Sequence, residues 1–566
     1  MTNSYSYPLN RVAYYQTFYE CLQDITQKYG DKIAVTTYNR RGTKKERNYE
    51  QFKADAEGLG AALLAHGYHG AHIALVGENS YYWLVAYFGI VISGNVAVCV
   101  DVEQSDDVLS KMISEVDCKL AVVSPANAPV MGGILQNIKD QSKEQICLVI
   151  NQSDERVKEI ETGGYPYQTL DQFCKDKTTS LADLVEAGKN LQPRDPAAIV
   201  FTSGTTSLAK AVMLSHEAIL TNASDAIAMV DPKPTCFAVL PFYHAYGFTD
   251  AALTSLISNM NVCINGDLKT MIRDMTSFKP EFVVAVPMVA ESLHRMIWNN
   301  IETSGQKEKV KRFMKLGQLL GRPSLFLKGP MRKNFRDTPL ERLSVMVCGG
   351  AYLAPRVAED LECFGILVLQ GYGITECAPL VSVNRNRSYD HATVGYVVPH
   401  FEVRIKDEEI QVKGTSLMNG YYGHPELTDE AMDDGWFRTG DIGCLDKRGY
   451  LTILGRQKNL IVMNNGKKIS PEEYESVLRE VPIVREVIAY GASSGSSVDD
   501  VKIAIMVYPD PDITSGLSSY EILGQLQQEV DALNMKLPTY KQIQMINIRD
   551  TEFSKTAKKS IKRKIV

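Results

Sequence analysis

Residues 197–216 read AAIVFTSGTTSLAKAVMLSH, an apolar run that leads directly into a loop of hydroxyl residues with one glycine and Lys210. Backbone amides, hydroxyl groups and an ammonium in one loop suit a polyphosphate. A Walker A loop would need a glycine immediately before the lysine and a Ser or Thr after it, whereas Lys210 stands between Ala209 and Ala211. The stretch therefore predicts a buried strand followed by a phosphate-binding loop that is not a P-loop. As an isolated motif it is also compatible with a plain Ser/Thr-rich turn.

One sequence pattern recurs through the large N-terminal part of the chain. In this pattern a run of β-branched residues ends in small or polar residues, and a helical stretch follows. Such runs begin at His72, Lys119, Gln145, Ala197, Thr235, Glu281, Leu343 and Gly365. This alternation predicts parallel sheets that are covered by helices. Ligands of such sheets gather beyond the carboxyl ends of the strands, so we expect the polar clusters after these runs to form the site.

Two segments interrupt the rhythm. Residues 79–100 are uncharged and long enough to raise the question of a membrane span, but Ser93-Gly94-Asn95 is a turn signal, so we predict a buried helix followed by a buried strand. Residues 301–337 are basic and have no strand pattern. We interpret them as a helical insertion on the surface.

After Gly443 the pattern changes to short strands mixed with helices. The strands begin near Tyr450, Leu460, Val487 and Val501, and the helices near Ser470 and Ser518. We therefore predict an α/β protein with two domains: residues 1–456, with mixed and parallel sheets covered by helices, and residues 457–566, a small α+β domain joined by a hinge.

The composition is that of an ordinary globular protein and argues against a protein that binds nucleic acid or anionic lipid through its overall charge. The 566 residues are 45% hydrophobic and 23% charged, with a net charge of −6, so no global positive field would recruit nucleic acid or anionic lipid. Eleven cysteines without a C-x-x-C pair indicate a reduced, cytoplasmic chain. At most a peripheral association with membranes is expected.

The phosphate loop belongs to an ordered series of motifs. The others are PFYHAYG (241–247), GGA (349–351), GYGITECAP (371–379), GWFRTGDIG (435–443), GRQKNLIVMNNGKKISPEE (455–473) and SKTAKKSIKR (554–563). The series resembles that of the adenylate-forming superfamily, which includes acyl-CoA synthetases, adenylation domains and luciferases. Residues 349–379, preceded by the basic insertion, most resemble the long-chain fatty acid:CoA ligase branch.

The resemblance implies that a carboxylic acid is joined to the α-phosphate of ATP, with release of pyrophosphate, and is then transferred to a thiol. It also implies the nucleotide site. The β- and γ-phosphates would be held by Thr202, Ser203, Gly204, Thr205, Thr206 and Lys210. Thr375 would contact the α-phosphate and Glu376 would bind Mg²⁺, a hard cation that takes oxygen ligands. The adenine would lie on Gly349, Gly350 and Ala351, with Tyr372, between Gly371 and Gly373, as its stacking partner.

The remaining roles concern the ribose, the acyl group, the hinge and coenzyme A. Asp441 would accept hydrogen bonds from both ribose hydroxyls, and Arg456 would assist at the ribose or phosphate. The acyl channel would be lined by His244 and Tyr246, the hinge would lie at Lys458, and the pantetheine would meet Asn465, Gly466 and Lys467. Taken singly, several of these residues also have plain interpretations: Asp441 as a turn residue, Glu376 as a carboxylate on a helix dipole and His244 as a loop histidine.

The sequence departs from the family pattern at two places. The phosphate loop has Ser207, Ala209 and Ala211 where relatives commonly carry Gly, Pro and Gly. At the C-terminus, Ser560 occupies the position of the family's catalytic lysine, which stabilises the charge that develops during adenylation. Either the neighbouring Lys559 takes its place or adenylation is weakened; the terminal Lys/Arg run is also compatible with a plain basic tail.

We therefore expect an ATP-, Mg²⁺- and CoA-dependent ligase that activates a medium- to long-chain fatty acid. One alternative keeps the adenylation but loads the phosphopantetheine of an acyl carrier protein. A second, of another class, is a degenerate acyl- or nucleotide-binding protein without turnover, which the Ser560 departure motivates.

Overall fold

A computed structural model describes residues 5–38, 42–142, 145–151, 160–175, 181–202, 209–265, 268–336, 338–463, 468–479, 481–493, 501–554 and 561. All eleven cysteines lie in these ranges and are free thiols. No described helix combines the length and the hydropathy that a membrane crossing needs.

The phosphate-loop strand lies in a mixed eight-stranded sheet within the described residues. In spatial order its strands are Gly420–Tyr421, Ala211–Ser215, Pro196–Phe201, Val96–Val100, His72–Val76, Leu120–Val123, Cys147–Ile150 and Gln168–Thr169. The strands from Pro196–Phe201 to Gln168–Thr169 are parallel, and the other two are antiparallel to their neighbours.

A second sheet has nine described strands. In spatial order they are Tyr396–Val397, Leu380–Val383, Leu367–Gly373, Val345–Cys348, Phe282–Ala285, Thr235–Ala238, Asn261–Ile264, Ile33–Tyr38 and Lys44–Asn48. The six strands between the antiparallel edges are parallel. Every run that the sequence analysis singled out is a strand of one of the two sheets, so the prediction of helix-covered parallel sheets is confirmed.

Helices cover both sheets. The described α-helices of the large domain are Phe18–Tyr29, Tyr49–Ala65, Tyr81–Ile92, Asp106–Glu115, Ala128–Ser142, Leu170–Lys175, Leu181–Asn190, His216–Met229, Thr254–Ile257, Met271–Phe278, Pro287–Thr303, Lys307–Leu319, Lys328–Asn334, Pro355–Cys363 and Pro425–Glu430. A π-helix spans Tyr246–Leu253, and short 3₁₀ turns span Leu268–Thr270 and Thr375–Cys377. The basic insertion is helical, as predicted.

The uncharged segment forms a central helix, Tyr81–Ile92, and the buried strand Val96–Val100. The side chain of Ser80 caps the helix, and every helical residue except Tyr82 is buried. A Cβ on Gly89 would lie only 3.0 Å from the carbonyl oxygen of Ala56 on the neighbouring helix, so glycine permits this close approach. The predicted buried helix and strand are confirmed.

A third sheet and a smaller unit complete the described chain. Five strands form the third sheet: Phe401–Lys406, Glu409–Gly414, Trp436–Leu445, Met432–Asp433 and Leu451–Arg456. The smaller unit contains the strands Ile461–Val462, Lys468–Ile469, Val484–Ser493, Val501–Pro509 and Ile543–Ile548, the α-helices Pro471–Leu478, Pro511–Thr514 and Ser519–Asn534, and the 3₁₀ turns Gln457–Asn459 and Thr539–Lys541. Its own apolar core includes Ile461, Leu478, Val507 and Leu526. An α/β body with a small α+β unit is the predicted fold class.

Candidate active site

The described ends of the phosphate loop are Thr202 and Lys210. The amide of Thr202 donates to the carbonyl oxygen of Lys210 at 3.0 Å, and the amide of Lys210 donates to the Thr202 hydroxyl at 3.3 Å. These bonds close the base of the loop at the end of the strand Pro196–Phe201. Ser203, Gly204, Thr205 and Thr206 lie outside the described residues, so their predicted role stays a prediction.

Tyr421 connects Lys210 to Glu376. The ammonium of Lys210 lies 4.4 Å from the centroid of the Tyr421 ring, and the Tyr421 hydroxyl donates to Oε1 of Glu376 at 2.9 Å. Burial, and then the charge of Glu376, raise the pKa of Tyr421, so the phenol stays a hydrogen-bond donor near neutral pH. Sequence analysis missed Tyr421, which lies on a two-residue strand between motifs; its only local signal is the pair Tyr421-Tyr422 after a glycine.

The turn that carries Thr375 and Glu376 is held by Asn222, a fully buried residue of the helix His216–Met229. Its side-chain nitrogen donates to the carbonyl oxygens of Cys377 and Leu380 at 3.1 and 2.8 Å. Its side-chain oxygen accepts from the amide of Leu380 at 2.9 Å. Asn222 thus fixes the backbone directly after Glu376, a role that no sequence pattern indicated.

Tyr372 and Asp441 join two sheets. The Tyr372 hydroxyl donates to Oδ2 of Asp441 at 2.7 Å, and Nε of Arg456 lies 3.4 Å from Oδ1 of the same carboxylate. Asp441 and Arg456 are directly paired on adjacent antiparallel strands. Burial raises the pKa of Asp441, while the Arg456 guanidinium and the Tyr372 hydrogen bond lower it.

The glycine loop after the strand Val345–Cys348 permits close packing. A Cβ on Gly349 would lie 3.1 Å from both the Gly371 carbonyl oxygen and the Tyr246 hydroxyl. Gly350 has a φ of +84°, which a side chain rarely adopts. Ala351 is exposed beside them. The first glycine is therefore needed for close packing and the second for its backbone conformation; the contact with adenine stays a prediction.

Tyr246 and His244 follow the strand Thr235–Ala238. The Tyr246 hydroxyl lies 3.1 Å from the carbonyl oxygen of Ala285 and 3.4 Å from that of Val347, and it can donate a hydrogen bond to either. His244 is buried, with its ring 4.8 Å from that of Tyr243. Tyr246 thus lies against the glycine loop, while His244 is in the preceding turn.

The linker to the small unit contains Lys458, which is exposed in the turn Gln457–Asn459. Beyond it, Arg479 of the small unit lies 3.9 Å from Glu291 of the large one. Burial raises the pKa of Tyr352, beside the glycine loop, and Glu473 of the small unit contributes. Asn465, Gly466 and Lys467, and also Lys559 and Ser560, lie outside the described residues.

Side chains from three sheets therefore meet at one place. The eight-stranded sheet contributes Tyr421 with the neighbouring Lys210, the nine-stranded sheet contributes Tyr372 and leads into Glu376, and the five-stranded sheet contributes Asp441. Tyr421 contacts the cation Lys210 and the carboxylate Glu376. Tyr372 donates to a second carboxylate, Asp441, which also lies beside the Arg456 guanidinium. This distribution matches a polar ligand with a phosphate end and a hydroxylated end.

The donor set near Glu376 fits Mg²⁺. Magnesium prefers one or two carboxylates plus phosphate oxygens and water. The hydrogen bond from Tyr421 occupies Oε1 of Glu376, which leaves Oε2 as a hard oxygen donor on the side chain, and Glu376 is only partly buried. The residues present therefore suit the ion.

Comparisons with known proteins identify the family of the chain. The profile of the family described as AMP-binding enzyme matches residues 22–422, and that of the AMP-binding enzyme C-terminal domain matches residues 458–566. A long-chain-fatty-acid–CoA ligase of Escherichia coli O6:H1 is 27% identical over 536 residues, which cover 88% of this chain and 87% of the relative.

Solved structures share the fold. The anthranilate CoA ligase AuaEII in complex with anthranoyl-AMP superposes with a TM-score of 0.73 at 18% identity, over 97% of this chain and 96% of the other. The o-succinylbenzoate coenzyme A synthetase of Bacillus subtilis, in complex with ATP and magnesium ion, has a TM-score of 0.68 at 18% identity, over 96% and 98%. At these identities the likeness extends to the fold alone.

Proposed function

The chain belongs to the AMP-binding enzyme family, and from that premise we propose that it is an ATP-dependent ligase that activates a medium- to long-chain fatty acid as acyl-AMP and transfers the acyl group to coenzyme A. The observation that carries the proposal is the pair of contacts that Tyr421 makes with Lys210 and Glu376, close enough to the Tyr372–Asp441 pair for the charge of Glu376 to act on Asp441. The choice of a fatty acid is supported by the long-chain-fatty-acid–CoA ligase that this chain resembles along most of its length.

In the first half-reaction an oxygen of the substrate carboxylate forms a bond to the α-phosphorus of ATP. The bond from that phosphorus to the bridging oxygen breaks, and pyrophosphate leaves with the electron pair. Such chemistry depends mainly on positioning and on neutralising charge. Lys210 would neutralise the β- and γ-phosphates, Thr375 would contact the α-phosphate, and Asp441 with Arg456 would orient the ribose.

Mg²⁺ would be held by Glu376, where it would neutralise phosphate charge when bound. Tyr421 orients this carboxylate, because its hydroxyl donates to Oε1 while its ring contacts the Lys210 ammonium. Tyr421 therefore lies between the Lys210 ammonium and the Glu376 carboxylate and contacts both. Asn222 holds the backbone of the turn that carries Glu376 through three hydrogen bonds to Cys377 and Leu380.

In the second half-reaction the sulfur of CoA forms a bond to the acyl carbonyl carbon. The bond from that carbon to the phosphate oxygen breaks, AMP leaves with the electron pair, and the thiol proton passes to solvent. The two steps need different groups at one centre, so we propose that residues 457–566 rotate about Lys458. The exposed turn at Lys458, between the last strand of the five-stranded sheet and the first strand of the small unit, supports this.

The test measures pyrophosphate release from ATP with fatty acids of six to eighteen carbons, followed by mass spectrometry of the thioester. We expect release that depends on the acid and a thioester with CoA. Glu376→Gln should lower kcat and Lys210→Ala should weaken ATP binding, while Glu359→Gln, an exposed control, should change neither. If no carboxylic acid elicits pyrophosphate, the proposal fails in favour of a binding protein without turnover. A thioester only with the phosphopantetheine of an acyl carrier protein would move the acceptor to that carrier.

A further inference from the structure

Asp250 is a buried carboxyl group that the proposed reaction does not use. It lies in the π-helix Tyr246–Leu253, an uncommon element that is frequent at functional sites. Its residue is 7% exposed, and within the described part of the chain neither carboxyl oxygen has a hydrogen-bond partner. Leaving a buried polar group without a hydrogen bond is unfavourable, so a ligand that forms hydrogen bonds with Asp250 removes this penalty when it binds.

Asp250 lines a small, partly open cavity. The cavity offers about 30 Å³ to the centres of water-sized molecules, enough for about two of them. Its other walls are largely apolar and include Ile227, Phe282, Val347 and Leu380. The hydroxyl of Thr254 also lines it but donates to the backbone carbonyl oxygen of Asp250 at 2.5 Å.

This cavity adjoins the proposed acyl site. Val347 lines the cavity, and its carbonyl oxygen lies 3.4 Å from the hydroxyl of Tyr246. The same hydroxyl packs against Gly349: a Cβ added to this glycine would lie 3.1 Å from it. Tyr246 therefore contacts both the glycine loop and a residue of the cavity wall, and Asp250 follows it on the same helix. Gly247 lets that helix pack closely, since a Cβ there would lie 2.1 Å from the Pro241 carbonyl oxygen.

The chemistry of the carboxyl limits what it binds. Burial raises the pKa of Asp250 well above its usual value, which favours the neutral carboxyl over the carboxylate. A neutral carboxyl has one donor and further acceptor capacity, which matches a hydroxyl group. An ammonium would need the ionised carboxylate, and burying two charges in an apolar cavity is expensive.

We propose that Asp250 binds a hydroxyl at the far end of the substrate chain, so that the enzyme prefers an ω-hydroxy fatty acid to the unsubstituted acid of equal length. The inference rests on the proposed function, because it concerns the acid that is activated. The small cavity takes a hydroxyl and the carbon that carries it, while the rest of the chain lies on the Tyr246 side. A site that hydrogen-bonds a substrate hydroxyl discriminates against the analogue without it.

The experiment compares kcat/KM for pyrophosphate release between ω-hydroxy and unsubstituted acids of matched length, from six to sixteen carbons. In the wild type we expect a preference of at least tenfold for the hydroxy acid at the best length. Asp250→Leu should abolish or invert this ratio, and Asp250→Asn, which keeps a donor and an acceptor, should retain part of it. Asp274→Asn, a buried carboxylate paired with Arg273 elsewhere, should leave the ratio unchanged.

Thermal unfolding measurements show whether a variant has lost substrate recognition or has lost stability. Asp250→Leu places an apolar side chain among apolar walls, so we expect it to be at least as stable as the wild type. A wild-type preference for unsubstituted acids, or a ratio that is the same in wild type, Asp250→Leu and Asp250→Asn, would overturn the inference while leaving the ligase intact. Failure of the ligase itself would appear differently, as no pyrophosphate with either series.

Discussion

The hydroxyl of Tyr372 lies 2.7 Å from Oδ2 of Asp441 and so connects the nine-stranded sheet to the five-stranded sheet at the proposed nucleotide site. Asp441 is 6% exposed. The hydrogen bond stabilises the ionised carboxylate against the burial that raises its pKa. A ribose that binds Asp441 would therefore meet an acceptor whose charge depends on Tyr372 and Arg456.

Tyr372→Phe should shift the pH dependence of AMP binding. Ionised Asp441 is the better acceptor, so affinity should fall as the pH drops through its pKa. The variant loses a bond that lowers this pKa, and the fall should begin at a higher pH. Calorimetric titration of AMP between pH 4 and 8 measures it. Tyr389→Phe is the control, since that hydroxyl bonds Glu362 instead; identical curves for all three proteins would refute the assignment.

Tyr421→Phe should reduce the adenylation rate while leaving the fold intact. The ring over Lys210 remains, but Glu376 loses its hydrogen bond. A bond to a charged group is worth about 1.5–3 kcal/mol, so we expect kcat/KM for pyrophosphate release to fall roughly tenfold to a hundredfold. Tyr422→Phe, one residue away, should retain the wild-type rate. Equal losses in both variants would indicate a packing effect and remove Tyr421 from the site.

Lys458→Pro should affect the two half-reactions unequally. Proline fixes φ near −65°, which is compatible with a 3₁₀ turn such as Gln457–Asn459, so it should hold the small unit in one orientation. Pyrophosphate release and thioester formation from supplied acyl-AMP are measured separately, with Lys458→Ala as the control. Parallel loss of both activities in a folded Lys458→Pro protein would speak against rotation.

Ser560→Lys should raise the adenylation rate, and Lys559→Ala should lower it. Losing one preorganised donor to a developing charge costs about 3 kcal/mol, so restoring the family's lysine could accelerate adenylation by about a hundredfold. Thioester formation from supplied acyl-AMP should change little in either variant. If Lys559→Ala is silent while Ser560→Lys activates, Lys559 has no catalytic role; if both are silent although adenylation is fast, the assignment of the C-terminus is wrong.

His400 should make stability depend on pH. Its hydrogen bond with the fully buried Asp225 raises its pKa above 6.5. The stabilisation is therefore fully present below pH 6.5 and is lost as the pH rises through the folded-state value. Urea unfolding midpoints between pH 6 and 9 should fall in the wild type and change less in His400→Gln. A slope that survives the substitution unchanged would contradict this.

His216 should also make the stability of the fold depend on pH, but with the opposite sign and at lower pH than His400. Burial lowers its pKa to about 4, so the unfolded chain binds a proton more readily than the folded one between pH 6.5 and 4. Stability should fall as the pH drops through that window, by on the order of 3 kcal/mol at its end. Unfolding midpoints measured from pH 7 down to pH 4 test this contribution. A flat curve over that range would contradict it.

Local sequence patterns were enough to predict the sheets and the helices, and they also marked the candidate site residues along the chain. Local patterns carry this information: apolar β-branched runs such as 197–201 specify buried strands, and Ser93-Gly94-Asn95 separates a helix from a strand. Lys210, Glu376 and Asp441 are candidates because each lies in a motif of the family resemblance, and their roles stay predictions. The loop 203–208 and the terminal residues 555–560 stay predictions.

Which of these residues contact one another depends on the tertiary structure. Tyr421 lies 211 residues after Lys210 and 45 after Glu376 in the chain, and its role comes from the pairing of its strand with Ala211–Ser215. Asn222 and Asp250 carry no motif either, since a buried polar side chain acquires its meaning from the groups packed around it. Strand pairing and burial are long-range properties, and a local sequence pattern does not contain them.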